Sequence, residues 1–470
     1  MKSNQILENL ESPFGLAELF ISRTDERGVI QFGNDVFVRV SEFSKEELIG
    51  SPHNIIRHPH MPKAVFRLLW DTIKQGKIIA AYVKNRSATG KYYWVLATVF
   101  PVKGGYFSIR LKPTSGVLQV VEDIYKEVLK VENEKGIDAA LAHMVQLVKK
   151  AGFENYESFQ AYALKTELQL RDQSLIPTSG SQKTHCCDTS QTRGFCEMHQ
   201  LVLVAAHGFA ETVKSLEVFK DLKQKCGSES KVIARACERL ENLAINMSIS
   251  AHKLGKDGST LAVVANTFQG TTKQIIQSYA NFEKFSAAVL SKLEEVLFSI
   301  SCSRVQTEML AFFLKESIDG MSAGKISSEA EIRKLLSELR VIILAVKDLF
   351  MVSSQQQNQF YEILLRLRKD TTELSKVIVR LDLIKTGGML EGSRSVDITS
   401  MFKHFLVEMG QLIGFINTPV NDILGALEAS TGAFEKVILT IMHTEHVLGE
   451  LELLQKNAVE LLNATNMEAA

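Results

Sequence analysis

The stretch YVKNRSATGKYYWVLATVFPV, from Tyr82 to Val102, decides the fold of the N-terminal region. Both of its ends are rich in aromatic and β-branched residues, which are typical of strands. A short segment around Gly90 separates these two runs and has the residues of a turn. The stretch therefore predicts a β-hairpin.

Three more strand-like runs lie on either side of this hairpin. They are LAELFISRTD and GVIQFGN before it, and YFSIRLKP after it, with turns at Gly28 and at the Gly104–Gly105 pair. Between the second and third strands, residues 35–70 have a helical pattern, and Ser44–Glu47 forms a capping sequence. These features predict an α+β domain over residues 14–114, an antiparallel sheet with helices on one face. Such a cradle can enclose a small ligand.

From Val117 onward, apolar residues recur at helical spacings of three and four. We expect connecting helices over 115–173 and a polar linker over 174–195 that contains Pro and Gly. Four long helical stretches follow, with glycines between them and possible local breaks at Gly227 and Gly270: Cys196–Gly255, Thr260–Ile318, Ile326–Thr386 and Val396–Met467. Near-equal arms predict a mostly all-α region of two long antiparallel helical hairpins, over 196–325 and 326–470.

Composition narrows the classes of function. Lys plus Arg and Asp plus Glu both total 54, so the basic excess of a nucleic-acid-binding protein is missing. The sequence contains no apolar run long enough for a membrane span and no secretory signal. Six cysteines in 470 residues fit a reduced, cytoplasmic setting. Nucleotide-binding loops and nucleophile motifs are also missing, which predicts a protein that is not an enzyme.

Two motifs in the N-terminal region carry a family resemblance. The run NIIRHPHMP and the run VKNRSATGKYYWV stand in one segment, Phe20–Pro113, which resembles the PAS domain of aerotaxis receptors. In that family the pocket holds FAD and reports redox state or oxygen. The resemblance implies cofactor-binding roles for five residues: Asn34, Arg57, His58, Trp70 and Asn85. These residue types suit a flavin, because Arg pairs with phosphate, Trp lines a ring and Asn bonds polar ring edges.

Two positions depart from the PAS family pattern. His60 stands where the family usually has an acidic residue, and the segment Gly76–Ile79 lacks a tryptophan that the family usually has. Three interpretations of the pocket therefore remain: a flavin, an empty or protein-sensing domain, and haem or another ligand.

A second resemblance lies in LAINMSISAHKLGKDGSTLAVVANTF, from Leu243 to Phe268. It is similar to the cytoplasmic tip of methyl-accepting chemoreceptors, which contacts the chemotaxis kinase and its coupling protein. The resemblance implies a helical reversal at two glycines and a set of partner-binding residues: Asn246, Ile249, Lys253, Gly255, Gly258, Val263, Val264 and Asn266. Ser250, Lys256, Ser259 and Thr267 replace charged residues of the family pattern, which weakens the expectation of kinase coupling.

A weaker echo of this tip occurs in LIKTGGMLEGSR, from Leu383 to Arg394. It suggests that two hairpins of one chain form a four-helix bundle, so that the protein is a monomer with an internal pseudo-dimer, or a homodimer. An unrelated helical domain is the alternative. His185, Cys186, Cys187, Cys196 and His199 do not have the spacing of a familiar zinc site, and we expect no metal.

The sequence as a whole predicts a cytoplasmic, chemoreceptor-like signal transducer. Its partners would be the chemotaxis kinase and coupling protein or other chemoreceptors. The alternative is a non-catalytic adaptor or scaffold that binds another protein.

Overall fold

The structure is a computed structural model that describes residues 10–174, 190–253, 259–392 and 396–469. Its N-terminal region contains a five-stranded antiparallel sheet of order β2-β1-β5-β4-β3. The strands are β1 (Phe20–Thr24), β2 (Ile30–Gly33), β3 (Ile79–Arg86), β4 (Tyr92–Val102) and β5 (Gly105–Leu111). All four neighbouring pairs are antiparallel, so the predicted sheet and its hairpins are confirmed.

Short helices fill the connection between β2 and β3, as the sequence predicts. They are α1 (Asp35–Ser41), α2 (Lys45–Leu48), a 3₁₀ turn (His53–Ile56) and α3 (Lys63–Lys74). Ser44 and Glu47 form the expected capping box, because the hydroxyl bonds the Glu47 amide and the carboxylate bonds the Ser44 amide. Helix α3 packs on β3 and β4 through a buried apolar cluster of Leu69, Ile73, Ile79 and Val99.

The strand register gives the sheet two distinct faces, since cross-strand partners project to the same side. Asn85 pairs with Tyr93, Ser108 with Ser22, and Arg110 with Ala97. We call the face that α1–α3 cover the inner face; its polar residues are Ser22, Asn85, Tyr93, Ser108 and Arg110. The opposite, outer face carries Arg23, Phe32, Tyr82 and Trp94.

Three helices follow the sheet: α4 (Val117–Lys135), α5 (Ile137–Lys150) and α6 (Tyr156–Ser174). Helix α6 covers the edge strand β3. The Gln160 side chain accepts a bond from the Ala80 amide at 2.9 Å, and the Tyr156 hydroxyl donates to the Ala80 carbonyl at 3.0 Å. These bonds satisfy backbone groups that an edge strand otherwise exposes.

Five long helices form the rest of the described chain. They are α7 (Ser190–Ser215), α8 (Val218–Lys253), α9 (Ser259–Ser322), α10 (Glu329–Gly392) and α11 (Val396–Ala469). Gly227 and Gly270 lie inside α8 and α9, so the breaks considered at these positions do not occur; the first arm is interrupted instead at residues 216–217. Helix α7 begins within the segment predicted as a linker, because Phe195, Met198 and Val202 are buried at helical spacing.

The chain divides into two compact units. The first comprises Met1–Glu211, Glu294–Gln355 and Thr440–Ala470, and the second comprises Thr212–Leu293 and Gln356–Leu439. None of the helices in the described parts of the chain is long and apolar enough to cross a membrane.

In the second unit, the tips of both hairpins lie at the same end. A Cβ atom at Gly388, near the end of α10, would lie 3.2 Å from Val264 Cγ1 near the start of α9. It would also lie 2.9 Å from Leu406 Cδ2 near the start of α11. Glycine at 388 therefore permits close helix packing next to the two reversals.

Candidate ligand-binding site

Three polar groups on the inner face of the sheet are buried without a bonding partner. The Asn85 side-chain nitrogen, the Tyr93 hydroxyl and the Ser108 hydroxyl have no hydrogen-bond partner among the described residues. Native proteins rarely leave such groups unsatisfied, because each costs roughly 1–3 kcal/mol. An amide nitrogen can only donate. The three side chains together therefore favour a ligand that offers hydrogen-bond acceptors.

Arg110 is the buried charge on this face. It lies on the central strand β5 with only 4% of its surface exposed. Its guanidinium donates to Ser22 Oγ at 3.0 Å and to His53 Nε2 at 2.5 Å, and it lies 5.6 Å from the centre of the Phe37 ring. Within the described ranges, no carboxylate forms an ion pair with it. Burial lowers the pKa of Arg110 to about 10, so the group still carries its charge at neutral pH.

His53 is the neutral partner of this guanidinium. An Arg side chain can only donate, so His53 Nε2 must accept and cannot carry a proton. Burial and the nearby charge of Arg110 lower the pKa of His53 to about 3, in agreement with this geometry. The imidazole also stacks on Phe37, with ring centroids 6.0 Å apart.

Three of the five residues implied by the PAS resemblance lie together. Arg57 and Asn85 form a backbone bridge between the 3₁₀ turn and β3, and His58 follows directly. The half-buried Arg57 side chain donates to the Met61 carbonyl at 2.9 Å. His58 is buried, and its Nδ1 accepts from the His60 amide at 3.1 Å. Burial, with the nearby Lys84 charge, lowers the pKa of His58 to about 4, so its ring is neutral at pH 7.

Trp70 and Asn34 lie elsewhere. The Trp70 ring contacts Tyr106 edge-to-face at 5.4 Å and lies against Gly28, where a Cβ would approach it to 2.9 Å. Asn34 is the N-cap of α1, and its side-chain oxygen accepts from the amides of Phe37 and Ile21. The structure thus places Asn34 in a fully bonded capping position, and its ligand role stays a prediction.

Sequence reasoning did not single out Arg110 or His53. The only signal is the run Ser108–Leu111, in which a charged residue stands between Ile109 and Leu111 in a strand. Because Arg110 alternates with two buried apolar residues, its side chain must enter the face opposite to theirs. Only the fold shows that helices cover that face too.

The outer face is built differently, because helix α6 bonds the buried hydroxyl of Tyr82; Thr98 is the exception, since its hydroxyl has no partner among the described residues. Glu167 of α6 has 2% of its surface exposed, and its carboxylate accepts from the Tyr82 hydroxyl at 2.8 Å. It also accepts from the Ser115 hydroxyl at 2.6 Å and the Thr114 amide at 2.7 Å. One carboxylate therefore fixes β3 and the segment that follows β5 to α6.

Helix α6 in turn binds α9 within the first unit. Arg304, with 2% of its surface exposed, makes two bonds to Asp172, at 2.9 and 2.5 Å. It also bonds Glu308 at 2.7 Å, and Glu308 lies 3.3 Å from Arg171. Such a bidentate pair holds two helices in one geometry.

A second contact joins α9 to the segment that follows β2. The Asn34 side-chain nitrogen lies 3.3 Å from Glu316 Oε1 of α9, and the Phe32 and Phe313 rings pack at 5.8 Å. Burial raises the pKa of Glu316 to about 7, and the Asp35 charge adds to the effect. This carboxyl group therefore changes charge near neutral pH.

Five of the predicted partner-binding residues are exposed near the first reversal. Ile249 is 50% exposed and Val263 is 64% exposed, whereas Val264 is partly buried near Gly388. Asn246, Lys253 and Asn266 are exposed as well. Gly255 and Gly258 lie outside the described residues, and so do His185, Cys186 and Cys187.

Comparison with known proteins agrees with this fold. Residues 30–106 match a family model described as a PAS fold. Over 131 residues the chain is 39% identical to the aerotaxis receptor of Escherichia coli (strain K12), a stretch that covers 27% of this chain. The chain spans only 26% of the length of that curated relative. The N-terminal region is thus a PAS domain, and the resemblance inferred from its motifs is confirmed.

Two solved structures are similar to part of this chain. A fungal LOV domain photoreceptor shares 19% identity, with 21% of this chain and 75% of that chain covered and a TM-score of 0.17. The blue-light activated histidine kinase EL346 of Erythrobacter litoralis shares 11% identity, with 36% and 55% covered and a TM-score of 0.20.

Proposed function

We propose that this chain is a non-catalytic, chemoreceptor-like sensory transducer whose PAS domain binds a flavin. The observation that carries the proposal is the set of unpaired buried groups on the inner face: Asn85, Tyr93 and Ser108. The flavin ring has carbonyl oxygens and ring nitrogens along one edge, so it offers the acceptors that these groups lack. Asn85, Arg57 and His58, which lie together, would hold it, and Trp70 is a further contact that rests on the family resemblance alone. The flavin would supply a response to redox state.

The contacts of the outer face support a route from this pocket to the helices. Asn85 and Tyr82 belong to the same strand β3, and Tyr82 donates to Glu167 of α6. Five residues further along α6, Asp172 binds Arg304 of α9. A ligand that shifts β3 would thereby shift α6 against α9 and bias the helices between two packing states.

The exposed apolar side chains near the first reversal support an output surface there. Ile249 and Val263 leave a large part of their surface in solvent, although the second unit buries many other apolar residues. Exposed apolar clusters mark interaction sites. The partners proposed for this surface are the chemotaxis kinase and its coupling protein.

A second candidate function is an adaptor that binds another protein. It is favoured by Ser250 and Thr267, which stand where the chemoreceptor pattern has glutamates. Localisation in kinase-positive cells separates the two functions. A transducer is expected at the polar receptor arrays, and a diffuse distribution would favour the adaptor.

The output surface is tested by the double variant Ile249→Ser, Val263→Ser. It is expected to lose array localisation, since a few side chains near the centre of an interface carry most of the binding free energy. Leu439→Ser is the matched control, because Leu439 is 66% exposed but lies near the other end of the second unit. Equal behaviour of both variants would contradict the assigned surface.

The flavin is tested by an absorption spectrum of the full chain, purified after incubation with FAD, from roughly 350 to 600 nm. The expected result is a two-banded flavin spectrum and free flavin in the supernatant after denaturation. Arg57→Ala is expected to reduce the bound fraction. A featureless spectrum from folded protein would overturn the flavin proposal and leave a PAS domain with another role.

A further inference from the structure

Arg110 has more hydrogen-bond donors than the protein uses. A guanidinium carries five N–H groups, and two of them reach Ser22 and His53. The others have no acceptor in the parts of the chain that the structure describes. A buried charge without an ion-pair partner is costly, and this one stands on the central strand of the sheet. A buried, unpaired charge of this kind is typical of a side chain that binds a ligand.

His53 and Phe37 hold the guanidinium in a fixed direction. His53 accepts one bond from it and Phe37 lies under it at 5.6 Å, while Ser22 binds its other terminal nitrogen. None of these neighbours is charged, so the positive charge is oriented but not neutralised. A pre-oriented group loses little entropy when a ligand arrives.

We propose that Arg110, held by His53, recognises the acceptor-rich edge of a flat heteroaromatic ring. For the flavin of the proposed function, on which this inference rests, that edge is the pyrimidinedione with its two carbonyl oxygens. The Tyr93 ring stacks on Phe20 with centroids 5.6 Å apart, Phe20 is the cross-strand partner of Arg110, and Asn85 is the cross-strand partner of Tyr93. The four groups Arg110, Tyr93, Asn85 and Ser108 then form one donor surface.

A phosphate is the other group that an arginine commonly binds. The position of Arg110 favours the ring, because its side chain lies deep between the central strand and helix α1. Arg57 is half-buried at the 3₁₀ turn and is better placed for a phosphate that remains partly in water. Riboflavin separates the two assignments, because it has the ring but no phosphate. Arg110 should matter for riboflavin binding only if it recognises the ring.

The test measures dissociation constants of FAD and of riboflavin for the full chain and three variants. Arg110→Met keeps the length of the side chain and removes its charge, and we expect both ligands to bind roughly tenfold to hundredfold more weakly. Arg110→Lys keeps the charge but not the fork, so intermediate binding is expected. Arg39→Met, at an exposed position of α1, is the control and should bind as the wild type does.

The outcomes separate this inference from the proposed function. If the wild type binds neither ligand, the flavin proposal itself fails. If the wild type binds both and Arg110→Met binds them equally well, the recognition role of Arg110 is wrong while the flavin proposal stands. Loss of FAD affinity with unchanged riboflavin affinity would move Arg110 to the phosphate and overturn the ring assignment.

Melting of the ligand-free proteins distinguishes recognition from a structural role. Recognition predicts that Arg110→Met without ligand melts close to the wild type, because the lost bonds are offset by the removal of a buried charge. A much lower midpoint with unchanged ligand affinity at low temperature would show that Arg110 only supports the fold. If Arg110→Met does not fold, Arg110→Lys decides: affinity equal to the wild type would overturn the proposal.

Discussion

The two faces of the PAS sheet treat buried polar groups in opposite ways. On the outer face, Tyr82 and Glu167 bond each other, and Glu167 accepts further bonds from Ser115 and Thr114. On the inner face, Tyr93 and Asn85 bury groups with no partner, and Arg110 has no carboxylate within the described chain. Among the described residues of the sheet, Thr98 is the exception. Its hydroxyl is buried without a partner, although its register places it on the outer face.

The buried polar side chains of the two faces therefore serve two different purposes, which are docking between elements of the protein and binding of a ligand. Where two elements of the protein dock permanently, their polar groups satisfy each other, and removing one partner is costly. Where a ligand is expected, the protein leaves its donors free and accepts a loss of stability. Substitutions on the outer face should therefore destabilise the fold, whereas matched substitutions on the inner face should affect the ligand.

The largest effect is expected for Glu167→Ala on the outer face. The change leaves the Tyr82 hydroxyl, the Ser115 hydroxyl and the Thr114 amide buried without an acceptor. The free energy of unfolding should fall by about 3–5 kcal/mol, as measured by urea titration. Glu157→Ala, at an exposed position of the same helix, is the control and should change it by less than about 0.5 kcal/mol. A small loss for Glu167→Ala would contradict the docking role of this carboxylate.

A smaller, pH-dependent effect is expected at Glu316. Its pKa is raised from 4.5 to about 7, so between these values the folded state binds more protons than the unfolded state. The free energy of unfolding therefore falls as the pH rises through this window. Glu316→Gln lacks this fall, and at pH 8 it should be more stable than the wild type by about 1–3 kcal/mol.

Glu331 provides a control, because its pKa is shifted in the direction opposite to that of Glu316. The amides of Ser327 and Ser328 lower the pKa of its carboxyl group. Its contribution to stability is present above the unfolded pKa and is lost in acid, so Glu331→Gln should destabilise at pH 8. Urea titrations at pH 5 and pH 8 follow Glu316→Gln, and a further titration near pH 3 follows the loss of the Glu331 contribution in acid. The same pH profile for Glu316→Gln and the wild type would refute the assignment.

Tyr82→Phe tests the outer face with the loss of a single oxygen atom. The hydroxyl donates to a buried carboxylate, so the free energy of unfolding should fall by about 1–3 kcal/mol. Thermal melting of the ligand-free chain measures the change. An unchanged midpoint would mean that this bond adds nothing to the docking of β3 on α6.

Tyr93→Phe is the matching change on the inner face and should have the smallest effect on the ligand-free chain. Its hydroxyl is buried without a partner, so its removal should leave stability unchanged or raise it by up to about 1 kcal/mol. Flavin affinity should fall instead. If Tyr82→Phe and Tyr93→Phe lose equal stability, the contrast between the faces is wrong.

The sequence predicts the parts of the fold that depend on local pattern. The hairpin turns follow from glycines such as Gly28 and Gly90, which adopt positive φ values of 80° and 98°. The capping box at Ser44 and the four long helical arms follow from patterns within a few residues. The connection between α9 and α10 also contains a glycine, Gly324, which adopts a positive φ of 69°.

The polar contacts of the site could not be predicted in the same way. Arg110 meets His53 across 57 positions of the chain, and Asn34 meets Glu316 across 282. Such pairs depend on which strand is central and which helix covers which face. The family resemblance implied a ligand role for Asn34, which stays a prediction, but it could not show that this side chain caps α1 and contacts α9.

Hydrogen exchange of the full chain, with and without saturating FAD, tests the central claim that a ligand on the inner face is sensed through the outer face. We predict that FAD slows exchange in β3–β5 and also changes exchange in α6, Tyr156–Ser174, and in α9 between Arg304 and Glu316. Slower exchange confined to the sheet and α1–α3, with α6 and α9 unchanged at full occupancy, would contradict the account.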